Sequence, residues 1–444
     1  MATRFFAALA AVSFLLPAQT PPKVVKLEPA NGSEVEAAKV KTLVATFDMD
    51  MNQDGWSLCG SGPAFPKTKD KPRWRDKRTL EVDVELEADH EYLLGLNCPA
   101  AQNTRSKDGV PLVPVWWKFT TLPGKVRPAA EQKKRNQAAM KALLKALDES
   151  YSYRDLRVSD WKKLEQEHAA ALLNAKTDRG FAMAAAEMLK PTEDLHLYLR
   201  LGEQTFGAGS RAVDPLFRRD RLVRHLRVQP VGKNALAGRT TDGIGYLMIG
   251  GWSQDVDPEV IGGAITEMLD TKAMVIDVRP NAGGDESLAQ KVAGWFVTGT
   301  RVYAKHRVRG PGKDGFGPIG SRAVEGLGES RHYDRPIAVL TSRYVMSSNE
   351  SFVLMLRQAK DCTVVGQPTF GSSGNPRPFE LGNGVTALIP SWQDLTLDGQ
   401  TFEGIGIAPD VQVACKPEDL DKDDPILVKA LEVLRAKVAA QPGK

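Results

Sequence analysis

From Gly243 onward, short apolar runs alternate with stretches of helical periodicity, and this alternation constrains the fold more than any other feature of the chain. The runs cover 245–249, 273–278, 336–340 and 363–365, with helical patterns near Val260, Leu288 and Glu350. A run with no polar alternation suits a strand buried on both faces, and strands separated by helices form parallel βα units. An α/β core over 239–444 is expected.

Upstream of it, apolar residues recur at helical spacing over 137–147, 159–174 and 178–190, which predicts a helical cap subdomain spanning 137–238. Residues 22–122 read instead as short strands, 40–47, 79–84, 91–96 and 116–121, with Asn31-Gly32, Asp54-Gly55 and Asp108-Gly109 as turns. That is a β-sandwich pattern. The Pro-, Gly- and Lys-containing stretch 123–136 between the two reads as a linker. At the start, Arg4 precedes an apolar run over 5–16 and then Pro17 and Ala18, so residues 1–19 read as a signal peptide. The run is too short for a stable membrane span, and a periplasmic or secreted protein is expected.

With 26% charged residues and a net charge of +4, the chain shows no strong electrostatic partner. The densest basic cluster, 218–227, lacks the aromatic interleaving or zinc spacing of a nucleic-acid module, so no nucleic acid is expected. The 4 cysteines fall as Cys59 with Cys98 and Cys362 with Cys415, which allows one disulfide in each region. None has the close Cys or His neighbours of a metal site, and neither metal nor cofactor is implied.

Chemistry concentrates where the core strands end. The run 274–278 leads into Arg279-Pro280-Asn281-Ala282-Gly283-Gly284, whose paired glycines let backbone amides face a ligand. The run 336–341 leads to Met346-Ser347-Ser348-Asn349-Glu350 and an apolar helix. There Ser347 and Glu350 have capping-box spacing, and a Ser at a helix start also has amides and the positive dipole end beside it. The loops Gly366-Gln367-Pro368-Thr369-Phe370-Gly371 and Gly404-Ile405-Gly406-Ile407-Ala408-Pro409-Asp410 follow.

In this order the pieces resemble the tail-specific proteases, or carboxyl-terminal processing peptidases, and more closely their tricorn-like branch, over roughly 137–413. The resemblance implies a crotonase-like (ClpP/crotonase) core under a helical cap. It makes Ser347 the nucleophile and the amides of Gly283, Gly284 and Ser348 the oxyanion donors. The processing branch has a Lys base directly after Pro-Thr-Phe-Gly, where this chain has Ser372, so a Ser-Lys dyad is excluded there. His196, in Thr192-Glu193-Asp194-Leu195-His196, matches the general base of the tricorn-like branch, and Glu403 its acidic residue. That branch carries a Ser immediately before the His, where Leu195 stands here. About 50 residues separate His196 from the strand at Gly245, at the bottom of the domain size range, so no PDZ domain is expected between them.

Residues 27–32, 47–51 and 118–121 resemble bacterial Ig-like domains. The whole reads as a multidomain exported serine endopeptidase acting on a peptide or protein substrate. The alternative is a non-catalytic ligand- or protein-binding member of the same fold.

Overall fold

The computed structural model describes residues 20–440 except 125–126, 208, 210–212, 311–314 and 329–330. The signal peptide expected over 1–19 lies outside the described residues. The chain divides into two compact units, Met1–Pro128 and Ala129–Lys444.

In the first unit, Thr42–Phe47 and Thr79–Glu85 pair antiparallel and bury Leu43, Ala45 and Phe47 against Leu80, Val82 and Val84. This is the period of two that a half-buried strand imposes. Val24–Glu28, Lys67–Thr68 and Arg73–Asp76 complete their sheet. A second sheet holds Glu34–Val35, Val115–Thr121, Glu91–Leu96 and Leu58–Cys59. The inner faces share one apolar cluster around Tyr92, Leu94, Trp117 and Phe119, which makes the unit a β-sandwich. A disulfide joins Cys59 to Cys98.

The second unit is built on a seven-stranded sheet ordered Arg227–Val231, Ala235–Arg239, Ile244–Ile249, Ala273–Asp277, Ile337–Thr341, Cys362–Gly366, Val411–Gln412. From Ile244–Ile249 onward every neighbour is parallel. Side chains alternate between two cores. Leu247, Ile276 and Val339 point to the face covered by helices Pro258–Thr266, Glu286–Ala293 and Ser348–Leu356. Tyr246, Val275 and Leu340 point to the face covered by Pro425–Ala440. The four central strands, Ile244–Ile249, Ala273–Asp277, Ile337–Thr341 and Cys362–Gly366, are buried on both sides, which is why their sequences show no polar alternation.

The sheet begins earlier than the expected boundary at 239, because the hairpin Arg227–Val231 and Ala235–Arg239 adds two antiparallel strands to its edge. Pro230 is tolerated there because an edge strand need not donate on its outer side. Nor is the cap wholly helical. Helices Ala129–Ser150, Trp161–Leu173 and Asp178–Leu189 pack on a four-stranded sheet in which Tyr198–Leu201 pairs with Val385–Pro390, a strand from far along the chain. The first helix also occupies part of the stretch expected as linker, starting at Ala129. Its Gln132 and Asn136 are buried and bonded to each other at 2.9 Å, and Asn136 donates to the Ala175 carbonyl at 2.8 Å, so polar residues serve as packing here.

The second expected disulfide is not formed: Cys362 and Cys415 are free. Cys362 opens its strand, whereas Cys415 follows the strand Val411–Gln412, whose parallel partners in the first are Val365 and Gly366. The offset of seven residues along that direction is on the order of 20 Å, far beyond disulfide reach. The two also belong to opposite faces of the sheet. Mapping a non-reduced digest of the alkylated, denatured protein is expected to find Cys59 linked to Cys98 and both Cys362 and Cys415 alkylated. A Cys362–Cys415 peptide would contradict the register.

Candidate active site

The strand Ile337–Thr341 runs through the sheet centre, and the helix Ser348–Leu356 starts directly after Ser347. Ser347 has φ 57° and ψ −137°, a conformation L-residues adopt only under constraint. The constraint comes from both sides. Gly283 packs so close that a Cβ there would lie 2.8 Å from the Ser347 Cβ, so only glycine fits. Asn349 donates to the carbonyls of Val278 at 3.1 Å and Asn281 at 3.0 Å, binding the helix start to the glycine turn.

Of the three expected oxyanion donors, Gly283 is already engaged, its amide donating to Asn281 Oδ1 at 2.8 Å. Ser348 is the first helical residue, and such amides have no intrahelical acceptor. The Gly284 amide likewise has no acceptor among the described residues. Gly284 and Ser348 line the same cleft as Ser347.

Glu350 is completely buried and gathers four donors. Its carboxylate accepts from Thr369 Oγ1 at 2.5 Å, Gly371 N at 2.8 Å, Ser372 N at 3.0 Å and Ser347 N at 3.2 Å. Burial nevertheless pushes this carboxyl up to about 7, the hydrogen bonds opposing the rise.

His196 comes from the cap. Helix Asp178–Leu189 ends in a short 3-10 turn, and the buried Asp194 then shapes the loop, accepting the His196 amide at 2.9 Å and the Tyr151 hydroxyl at 2.9 Å. The ring lies between two serines, with Nε2 3.1 Å from Ser347 Oγ and Nδ1 2.9 Å from Ser372 Oγ. Glu403, the expected acidic partner, does not touch the ring: it accepts from Ser373 N at 2.9 Å and Ser373 Oγ at 3.3 Å and pairs with Arg157 at 2.5 Å. Burial, reinforced by the charge of Asp194, raises its carboxyl, and Arg157 opposes the shift. Ser372 is the contact the sequence reading missed. Its only signal was its place directly after Gly371, where the resemblance marks a functional position.

A serine held at a strained helix start, with an imidazole on its hydroxyl and free amides beside it, is the arrangement of a serine hydrolase. Residues 243–413 match the family model Peptidase family S41. This segment is an S41 domain, the domain of the tail-specific, carboxyl-terminal processing proteases. The chain is 26% identical over 188 residues to the carboxy-terminal processing protease CtpB of Bacillus subtilis, covering 42% of this chain and 37% of that protein. It is 26% identical over 195 residues to carboxyl-terminal-processing peptidase 2, chloroplastic, of Arabidopsis thaliana, covering 42% and 35%. The chain thus spans little more than a third of the length of these relatives. Among solved structures, a candidate peptidase from Parabacteroides merdae shares the fold with a TM-score of 0.61 and 23% identity, covering 69% of this chain and 99% of that one.

Among the described residues there is no His, Cys, Asp and Glu grouping that could hold a metal ion, and no helix is long and apolar enough to cross a membrane.

The Glu350 network gives a stability prediction. Gln cannot accept from all four donors, so Glu350→Gln is expected to lower stability by about 1–3 kcal/mol. The wild-type carboxyl has its ordinary value near 4.5 when unfolded and about 7 when folded. Its contribution is therefore complete below 4.5 and lost as pH rises through 7, a change of about 3 kcal/mol. Denaturant unfolding at pH 5 and pH 8 is expected to show a smaller pH dependence for the variant than for the wild type. Equal slopes would show that Glu350 does not titrate in this window.

Proposed function

We propose that the second unit is a serine peptidase that cleaves peptide bonds in peptide or protein substrates through an acyl-enzyme on Ser347, with His196 as general base. The observation that carries this reading is the Ser347 Oγ to His196 Nε2 approach of 3.1 Å. With the Nδ1 proton donated to Ser372 Oγ, the Nε2 lone pair faces the Ser347 hydroxyl. As Oγ attacks the scissile carbonyl, Nε2 takes its proton, and the developing oxyanion falls to the amides of Gly284 and Ser348. The imidazolium then protonates the leaving nitrogen and the C–N bond breaks. Water, deprotonated by the same Nε2, attacks the ester; the acid is released and the proton returns to Ser347.

In this scheme Ser372 orients the ring. Glu403 acts one step away, fixing Ser373 and hence the backbone that carries Ser372. The base on the cap, with Ser372 in place of a Lys, supports the tricorn-like branch. A crotonase-like core, an Ig-like first unit and export to the periplasm or cell exterior complete the reading.

A fluorophosphonate probe is expected to label the wild type at Ser347 and to leave Ser347→Ala unlabelled. No labelling of the folded wild type would reject the hydrolase reading in favour of a binding protein. His196→Ala should lower kcat/KM on order of 100-fold or more. Ser372→Ala should lower it less, roughly tenfold, and displace the rising limb of the pH profile, because the ring loses its Nδ1 partner. Glu403→Gln should also cost less than His196→Ala. Loss of Ser372 with an unmoved pH profile would reduce that residue to packing.

A further inference from the structure

A cleft of about 470 Å³ opens directly beside Ser347 and Gly284, and its lining is mixed, slightly more polar than apolar. Three carboxylates line it, Asp285, Glu286 and Asp394, against a single cation, Arg322. That Arg322 is not available to an anionic ligand. Its Nη1 donates to both Glu286 oxygens at 2.7 and 2.8 Å and to Ser351 Oγ at 3.2 Å, and its Nη2 donates to Asp394. The rings of Trp392 and Tyr303 flank the guanidinium at 5.0 and 5.3 Å. Two carboxylates on one guanidinium leave a residual negative charge, and Asp285, exposed at the cleft mouth, adds to it.

A second, independent feature points to an occupant. Ser348 is only 6% exposed, lines the cleft next to the nucleophile, and its hydroxyl has no partner among the described residues. A buried hydroxyl left unpaired is unfavourable, and a polar substrate group entering the cleft would satisfy it.

We propose that this cleft receives the side chain of the substrate residue whose carbonyl Ser347 attacks, and that it selects a long side chain ending in a cation, lysine or arginine. The volume suits such a chain. The charge excess attracts the cation, and because the acids are held by Arg322 and by backbone, they are positioned before substrate arrives. Asp285 Oδ1 accepts the Ser287 amide at 2.8 Å, and Tyr303 donates to Glu286. An acidic side chain would meet like charge and is rejected.

This proposal rests on Ser347 as nucleophile, and the experiment separates the two. Peptidyl 4-nitroanilides identical except for lysine, norleucine or glutamate at the anilide position are assayed on the full chain. The lysine substrate is expected to exceed norleucine in kcat/KM by about tenfold or more, with glutamate lowest. Asp285→Asn keeps the capping oxygen and should narrow the lysine advantage; Asp285→Asn with Glu286→Gln should bring it towards one. In parallel, fluorescein-labelled peptides ending in lysine or norleucine are titrated against Ser347→Ala and read by anisotropy. No hydrolysis of any anilide, with tighter binding of the lysine peptide, defeats the peptidase reading and keeps the cleft assignment. Norleucine or glutamate equal to or above lysine in both assays overturns the cleft assignment, as does a lysine advantage that the charge-removing variants leave intact.

Discussion

The site depends on one buried carboxylate. Glu350 has no solvent exposure, and isolating a charge in that way is unfavourable unless hydrogen bonds replace the lost water. Its four donors are of two kinds: the Ser347 amide on its own helix start, and three groups of the 369–372 loop. One side chain therefore fixes Ser347 relative to Ser372, whose hydroxyl meets Nδ1 of the His196 ring. The Ser372 carbonyl completes the lock by accepting the Ser347 amide at 2.9 Å. The capping-box spacing in the sequence is real, but its Glu has been extended into a tie between two segments that meet only in the folded core.

A second set of buried charges ties the ends of the central strands. Arg279 bridges Asp277 at 2.6 Å and Asp424 at 2.7 Å, all three fully buried, and donates to the Leu216 carbonyl at 2.7 Å. Asp424 immediately precedes the C-terminal helix, so the Arg of the Arg-Pro-Asn-Ala-Gly-Gly turn anchors that helix while Gly283 of the same turn packs on Ser347. Breaking such a pair strands a buried charge, which is far more destabilising than the pair itself is stabilising. The turn that packs on Ser347 is thus anchored through its first residue, Arg279.

The core was legible because burial on both faces leaves a continuous apolar run, a signal that needs no partner to be read. Ser347 and His196 were legible only through the order of the surrounding motifs, since a serine at a helix start is ordinarily a cap. What escaped were relations between distant segments. Val385–Pro390 pairs with Tyr198–Leu201 in the cap, a contact no local pattern announces. Glu403 was matched by position in the chain, but side-chain geometry hands the His196 ring to Ser372 and leaves Glu403 one residue along. Cys362 and Cys415 satisfied the arithmetic of pairing, and strand register separated them. The hairpin at Arg227–Val231 was hidden by Pro230, which counts against a strand unless the strand is known to lie at an edge.

Placing the His196 imidazole on the cap has a structural consequence. A lysine at position 372 would carry its amine on the same loop that Glu350 ties to Ser347, so amine and serine would be fixed by the core alone. Ser372 is fully buried with the imidazole 2.9 Å from its hydroxyl, and a four-carbon side chain there would have to occupy the volume now filled by the ring. The two solutions exclude each other. With histidine, the distance to Ser347 is set by how the cap meets the core, and the chain supplies contacts for that purpose. Ser152 Oγ donates to the carbonyls of Pro390 and Trp392, and Tyr153 shares a 2.6 Å hydrogen bond with Ser373. The return of the chain through Val385–Pro390 makes the cap sheet from residues on both sides of Ser347 in the sequence. That strand pairs with Tyr198–Leu201, which starts two residues after His196, so the segment carrying the imidazole is held in register by a strand that follows Ser372 in the chain.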